Sequence, residues 1–225
     1  MIKGFLLIAV LMLGVAPGAS AQGGADSITI ARLQYGGGGD WYANPSSLPN
    51  LLTAVRERTG IPVARREATV GPLDPVLPDH PYLYLTGHGD VRFTPEERAA
   101  LRRYLLSGGF LHADDNYGLD ASFREEIRAI FPESELTPIP PDHPVFRIFY
   151  TLQDGLPKIH EHDGAAPQAL GIFQEGRLVV FYSYESDLGD GWEDPDVHGD
   201  PQDVREAALQ MGVNLFLYAI GQVSS

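Results

Sequence analysis

Residues 94–115 read TPEERAALRRYLLSGGFLHADD, and their punctuation decides the architecture. Thr94 is a capping residue, Pro95 takes the first helical position and Glu97 stands three residues after the cap, which together start a helix. Leu101, Tyr104 and Leu105 give that helix its apolar face, and Gly108-Gly109 stops it. Phe110-Leu111-His112-Ala113 then reads as a strand. Just upstream, Tyr82-Leu83-Tyr84-Leu85-Thr86 is a nearly continuous apolar run, as a strand buried on both faces of a parallel sheet requires. Strand, helix and strand in succession place the chain among α/β proteins.

The alternation extends in both directions. Ser27 to Gln34 is a β-branched strand ended by Gly36-Gly37-Gly38-Gly39. Leu48, Leu51, Leu52 and Val55 recur at helical spacing between a Ser47 cap and a Gly60 stop, and Pro62 to Glu67 reads as a second strand. Asp120 is placed to cap a helix with Phe123, Ile127, Ile130 and Phe131 on one face. After a proline-rich connection from Pro132 to Pro144, Ala169–Phe173 and Arg177–Tyr184 form a hairpin around Glu175-Gly176. Asp200-Pro201 opens a last helix carrying Val204, Ala208, Met211, Leu215 and Tyr218 along one side. The expectation is a three-layer sandwich with a mostly parallel, flavodoxin-like sheet and an antiparallel hairpin near one edge. It forms a single domain over residues 26–222.

Composition narrows the partners. The 225 residues carry 16 Lys+Arg against 30 Asp+Glu, a net charge of −14, which repels phosphate backbones and speaks against a basic nucleic-acid-binding face. With no cysteine there is no thiol nucleophile, disulfide, iron–sulfur site or cysteine lipid anchor. Residues 1–21 read as a secretory signal, with Lys3, an apolar run from Phe5 to Val15 and Ala19-Ser20-Ala21 as the cleavage pattern. The expected location is the bacterial periplasm or the exterior, without stable membrane insertion after signal cleavage.

Ligands of open α/β sheets sit beyond the carboxyl ends of the strands, so the residues after each strand carry most weight. Gly38, Gly39, Asp40 and Trp41 follow the first strand. They match no phosphate-binding pattern and suit a neutral polyol or sugar, carboxylate to hydroxyls and ring face to C–H groups, or a cation. His88 stands between Gly87 and Gly89 after the second apolar strand. His112, Asp114 and Asp115 stand where the next strand turns toward its helix. Adjacent aspartates repel unless a cation, a histidine or a shared proton compensates. His112 is then a general base oriented by Asp114 or Asp115, with His88 a second acid/base. Alternatively, His88, His112 and Asp114 ligate a divalent metal, or one aspartate only caps the helix. The acidic stretch from Tyr184 to Asp194 reads as a solvated loop with Trp192 turned inward. In His160-Glu161-His162-Asp163, the neighbours Pro157, Gly164 and Pro167 indicate a loop, where the H-x-H spacing says little.

Taken in order, YGGGGDWY at 35–42, GGFLHADD at 108–115, Asp142-His143-Pro144-Val145-Phe146, SDLGDGWE at 186–193 and NLFLYA at 214–219 resemble the bacterial domain of unknown function 4159 family. The resemblance implies a class I glutamine amidotransferase-like, flavodoxin-like architecture. The stretch from Gly108 to His112 is also similar to trehalose-utilisation-type proteins of that architecture. Amidotransferases of this class place a cysteine at the turn after this strand. Here the turn reads His112-Ala113-Asp114, so thiolate hydrolysis of glutamine is excluded, and no G-x-S-x-G replaces it. Two functions follow as expectations. One is a small-molecule, polyol- or carbohydrate-like, or metal-dependent ligand-binding or hydrolytic site at the C-terminal edge of the sheet. The other is a non-catalytic module that docks an envelope protein.

Overall fold

The computed structural model describes residues 28–160 and 162–221; the signal expected at 1–21 lies outside them. Seven strands form one sheet: β1 (Ile30–Leu33), β2 (Ala68–Val70), β3 (Tyr82–Gly87), β4 (Phe110–Asp115), β5 (Thr137–Pro138), β6 (Gln168–Gln174) and β7 (Arg177–Tyr184). Their order is β2-β1-β3-β4-β7-β6-β5. The first five positions are parallel, and β6 and β5 complete the sheet antiparallel. The run β2-β1-β3-β4 followed by one more parallel strand is compatible with a flavodoxin-like sheet.

Strand alternation sorts the side chains between two cores. Tyr82, Tyr84, Phe110 and Phe181 face α1 (Ser47–Thr59), and α6 (Gln202–Gly221) packs into the same cluster. Leu83, Leu85, Leu111, Ala113 and Val180 face α2 (Pro95–Leu106) and α3 (Asp120–Ile130). Thr94 forms the expected capping box: its hydroxyl accepts from Glu97 N, and the Glu97 carboxylate accepts from Thr94 N. Gly60 ends α1 in the left-handed conformation.

Several local expectations need correcting. Ser47, expected as a cap, is the first residue of α1, and its hydroxyl donates to Asn44 O at 2.7 Å. The strand expected at 62–67 contributes only a bridge from Val63 to Ile28, and β2 falls at 68–70. Asp120 is the first residue of α3 and makes no side-chain cap; Asp115 satisfies the backbone N–H groups of Tyr117 and Leu119 ahead of it. Asp114 and Asp115 lie inside β4, beyond the Ala113 end expected for that strand. The acidic stretch after β7 is not solvated. It folds into α4 (Leu188–Trp192), with Glu185, Asp187, Asp190, Trp192 and Glu193 all buried. A short α5 (Pro195–His198) then leads to α6.

Candidate functional site

Alternation resolves the puzzle of the adjacent aspartates, because Asp114 and Asp115 leave β4 on opposite faces. Asp115 turns toward the α3 side and accepts N–H bonds from Tyr117 (3.1 Å) and Leu119 (3.2 Å). Asp114 turns toward the α1/α6 side and is fully buried. It accepts from Ser183 Oγ (2.5 Å), Tyr84 Oη (3.0 Å) and the N–H groups of Leu188 (3.2 Å) and Gly189 (2.6 Å). These bonds tie the centre of the sheet to the start of α4. Asp114 is therefore a positioning residue for the segment that carries Asp187 and Asp190.

His112 is sealed within the same network. Its ring lies among Tyr82, Tyr84, Phe181 and Trp192 with no solvent exposure. Tyr82 Oη donates to its Nδ1 at 2.9 Å, and its Nε2 donates to Ser183 Oγ at 2.8 Å. Burial lowers its pKa to about 3, so it stays neutral. Burial, with the charge of Asp187 adding to it, raises Asp114 to about 7 against the pull of its donors. Neither ring nitrogen of His112 is free to move a substrate proton. His88, His112 and Asp114 accordingly share no open cleft and form no metal site.

His88 fares differently. Asp40 grips it twice, accepting from its backbone N–H and, at 3.1 Å, from its Nδ1. The glycine loops make this pairing close. A Cβ on Gly39 would stand 2.8 Å from His88 O, and one on Gly87, whose φ is +136°, would stand 2.5 Å from Tyr35 Oη. The His88 side chain stays 57% exposed, with Nε2 uncommitted by any of these bonds. Gly38, Gly39 and Trp41 do not line the cavity described next; Trp41 is half-buried against the α2/α3 core.

Beyond the carboxyl ends of β3, β4 and β7 lies an open cavity of about 460 Å³. It is lined by His88, Asn116, Tyr117, His160, His162, Asp187 and Asp190. Four of these, His160, His162, Asp187 and Asp190, come from the proline-flanked loop and the acidic stretch that the sequence left unused. The loop is fixed to the segment after β7 by two hydrogen bonds, one main-chain and one from a side chain: Ile159 N donates to Ser186 O (2.8 Å), and Ser186 Oγ donates to Pro157 O (2.6 Å). Lys158 pairs with Glu185 at 2.8 Å, and Asp163 N donates to the same carboxylate. His160 and His162 are held against Asp187 and Asp190 in this way.

His160, Asp190 and His198 each present a ligand atom within 4.8 Å of the others, a group able to hold a metal ion. Asp190 Oδ2 stands 2.8 Å from His160 Nδ1 and 3.6 Å from His198 Nε2. The surroundings are ordered as metal sites require. Asn44 Nδ2 (2.5 Å) and Asn116 Nδ2 (3.4 Å) occupy the other oxygen of Asp190, and Asp200 Oδ1 holds His160 Nε2 at 3.0 Å. Burial, reinforced by Asp187, raises the pKa of Asp190, as expected of a carboxylate that lacks a full counter-charge. Beside this group, His162 Nε2 donates to Asp187 Oδ2 at 2.5 Å. Burial opposes charge on His162, but the bond to Asp187 and the charges of Asp187, Asp115 and Glu185 prevail and raise its pKa.

Asp187 has φ +61°, and Tyr117, across the cavity mouth, has φ +83°. Left-handed backbone at a non-glycine residue costs about 1–3 kcal/mol and clusters where a site demands a particular orientation. The sequence did carry a signal for this centre. His160-x-His162, Asp187-x2-Asp190 and His198 bring carboxylates and imidazoles from either side of one β-hairpin. A larger cavity, about 760 Å³, opens at the opposite edge of the sheet, between the 72–81 loop and α2. Its lining is mainly apolar, with Asp74, Asp79, His80 and Arg103 among it.

No curated protein matches the chain. A family model described as a domain of unknown function (DUF4159) matches residues 29–220, which takes in every element of the sheet and every residue of the cavity. The chain belongs to the domain of unknown function 4159 family.

Proposed function

We propose that this is an exported protein that binds a divalent metal, of the zinc, manganese or iron kind, through His160, Asp190 and His198. At that ion it binds or hydrolyses a small hydroxylated, carbohydrate-like molecule. The observation that carries the reading is the convergence of the three ligand atoms, each of two braced from behind, at the wall of an open polar cavity. Two imidazoles and a carboxylate leave coordination positions open, and a metal there would polarise a ligand oxygen or activate a bound water. His88 belongs to the same cavity. Asp40 orients its Nδ1 and leaves Nε2 free of these bonds, the arrangement of an acid–base group. The acidic surroundings disfavour anionic ligands and favour neutral, hydroxyl-rich ones. Export rests on the signal-like residues 1–21, and no described helix is long and apolar enough to cross a membrane.

The test is metal analysis with thermal melts of chelator-treated protein, with and without zinc, manganese and simple sugars. An ion held at 100 times its dissociation constant adds about 2.7 kcal/mol. For a domain of this size that raises Tm by about 5–10 °C. His160→Gln and Asp190→Asn should abolish the shift. A wild-type protein that neither retains nor responds to any of these ions refutes the metal reading. A second reading, a docking module for an envelope protein, is favoured by the apolar cavity at the opposite edge, beside exposed Leu73.

A further inference from the structure

The metal group described above does not account for all the chemistry at this end of the sheet. Asp187, Asp190, Glu193 and Asp200 are four carboxylates within one hydrogen-bonded cluster with His160, His162 and His198. The basic side chains of the surrounding segments are engaged elsewhere. Lys158 serves Glu185, Arg205 serves the backbone carbonyl of Glu193, and Arg32 serves the carbonyls of Ala43 and Asn44. One divalent ion offsets two of the four negative charges. Buried charge without a counter-charge is costly, so the rest of the cluster calls for a further cation or for protons.

The oxygens without partners point to where the remainder belongs. Among the described residues only two buried carboxylate oxygens accept no hydrogen bond, Asp187 Oδ1 and Asp200 Oδ2, and both are in this cluster. The Asp187 side chain is 5% exposed and lines the cavity. Its other oxygen stands 2.5 Å from His162 Nε2 and 3.8 Å from His160 Nδ1, between the first metal group and a second histidine. Carboxylates placed in this way bridge paired ions, which lie about 3.5–4 Å apart in two-metal sites.

Building on the metal reading above, we propose that a second divalent cation binds at the unpartnered Oδ1 of Asp187 and takes His162 as a ligand in place of the hydrogen bond between them, with the Asp187 carboxylate shared by the two ions. The pair brings the four carboxylates to charge balance, and the class of ligand it selects is a neutral one that offers two oxygens at once, a vicinal diol.

Zinc is the probe. The full chain is stripped with chelator, titrated calorimetrically, and the bound metal counted after desalting. Wild type is expected to take up two equivalents, and His162→Gln and His198→Gln one each. Asp187→Asn should lose the second equivalent and bind the first at least 10-fold more weakly. If wild type takes up a single equivalent, His162 and Asp187 are an ordinary ion pair, the proposal falls and the single-metal reading stands. Two equivalents retained in His162→Gln place the second ion elsewhere and also overturn it. No zinc bound by wild type sinks both readings. Should His162→Gln fail to fold, the count for Asp187→Asn decides in its place: one equivalent supports the proposal and two refute it.

Discussion

Replacing Asp114 with asparagine isolates the pH response of His112, because the two buried groups oppose one another. His112 has a folded pKa of about 3 and an unfolded value near 6.5. Between those values only the unfolded chain binds its proton, so this group makes stability rise with pH. Asp114 is the reverse. Its folded pKa is about 7 against about 3.8 unfolded, so between them only the folded chain binds the proton and stability falls as pH rises. Each contributes about 1.4 kcal/mol per pH unit, with opposite sign, and from pH 4.5 to 6.5 they nearly cancel.

Removing one member exposes the other. Relative to wild type, Asp114→Asn should lose about 2 kcal/mol more on going from pH 6.5 to 4.5, and His112→Gln should gain about 2 kcal/mol over the same interval. The double variant should track wild type, since both terms are gone. Urea unfolding at half-unit pH steps, in chelator to exclude bound metal, gives these values from midpoint and slope. The quantity compared is each variant's pH dependence minus that of wild type, so the fixed loss of the buried bonds drops out. An Asp114→Asn curve parallel to wild type would mean that the four donors keep Asp114 ionised, and the cancellation argument would be wrong.

Gly39→Ala drives a Cβ against the carbonyls of His88 and Asp90, and overpacking of this kind costs about 1–3 kcal/mol. Urea midpoints measure the cost, and the His88 imidazole resonances should move because the grip of Asp40 is disturbed. Arg98 makes two bonds, 2.7 and 2.8 Å, to Glu126, whose carboxylate is buried. Arg98→Ala leaves that buried charge only Arg92, 4.0 Å away, and should cost about 3 kcal/mol. Glu126→Ala leaves an arginine that can reach water and should cost about half as much; equal losses in urea unfolding would contradict the asymmetry. Asp200→Asn keeps the bulk behind His160 but removes the carboxylate, and should weaken zinc binding about 10–100-fold by calorimetry while leaving the melting point of the metal-free protein unchanged.

The sheet was legible because its signals are local. The Thr94 capping box, the Gly108-Gly109 stop and the continuous apolar runs of β3 and β4 depend on neighbours within a turn or two, and each stands where expected. The short β2 was misplaced because Ala68-Thr69-Val70 has too few residues to show a period. The centre was less legible because it depends on distance in space. His112 reads as a strand end, but β4 runs on to Asp115, so the ring lies deep in the core beside Tyr82 and Trp192, and on its face of the strand only Asn116, past the end, reaches the cavity. His160 and His162 sit among prolines and a glycine, where spacing predicts no orientation. Their positions are set by hydrogen bonds to Ser186 and by the Lys158–Glu185 pair, none of which leaves a periodic trace.

The excess of acid in this chain acquires a structural cost at one place. A β-turn of solvated aspartates would satisfy its charges with water, yet α4 buries Asp187 and Asp190 and ties them through Asp114, Asn44 and Asn116 to the middle of the fold. Every one of those ties holds a carboxylate in place, and none neutralises it. Hydrogen bonds from neutral amides fix where a negative charge sits, and only a cation or a proton removes it. His162, whose pKa is raised by Asp187 and its neighbours, offsets at most one of these charges, so the cluster is organised but under-compensated. That combination, rigid carboxylates with imidazoles whose nitrogens face them, is what a metal centre requires before the ion arrives, and it explains why the left-handed Asp187 is tolerated at the end of β7.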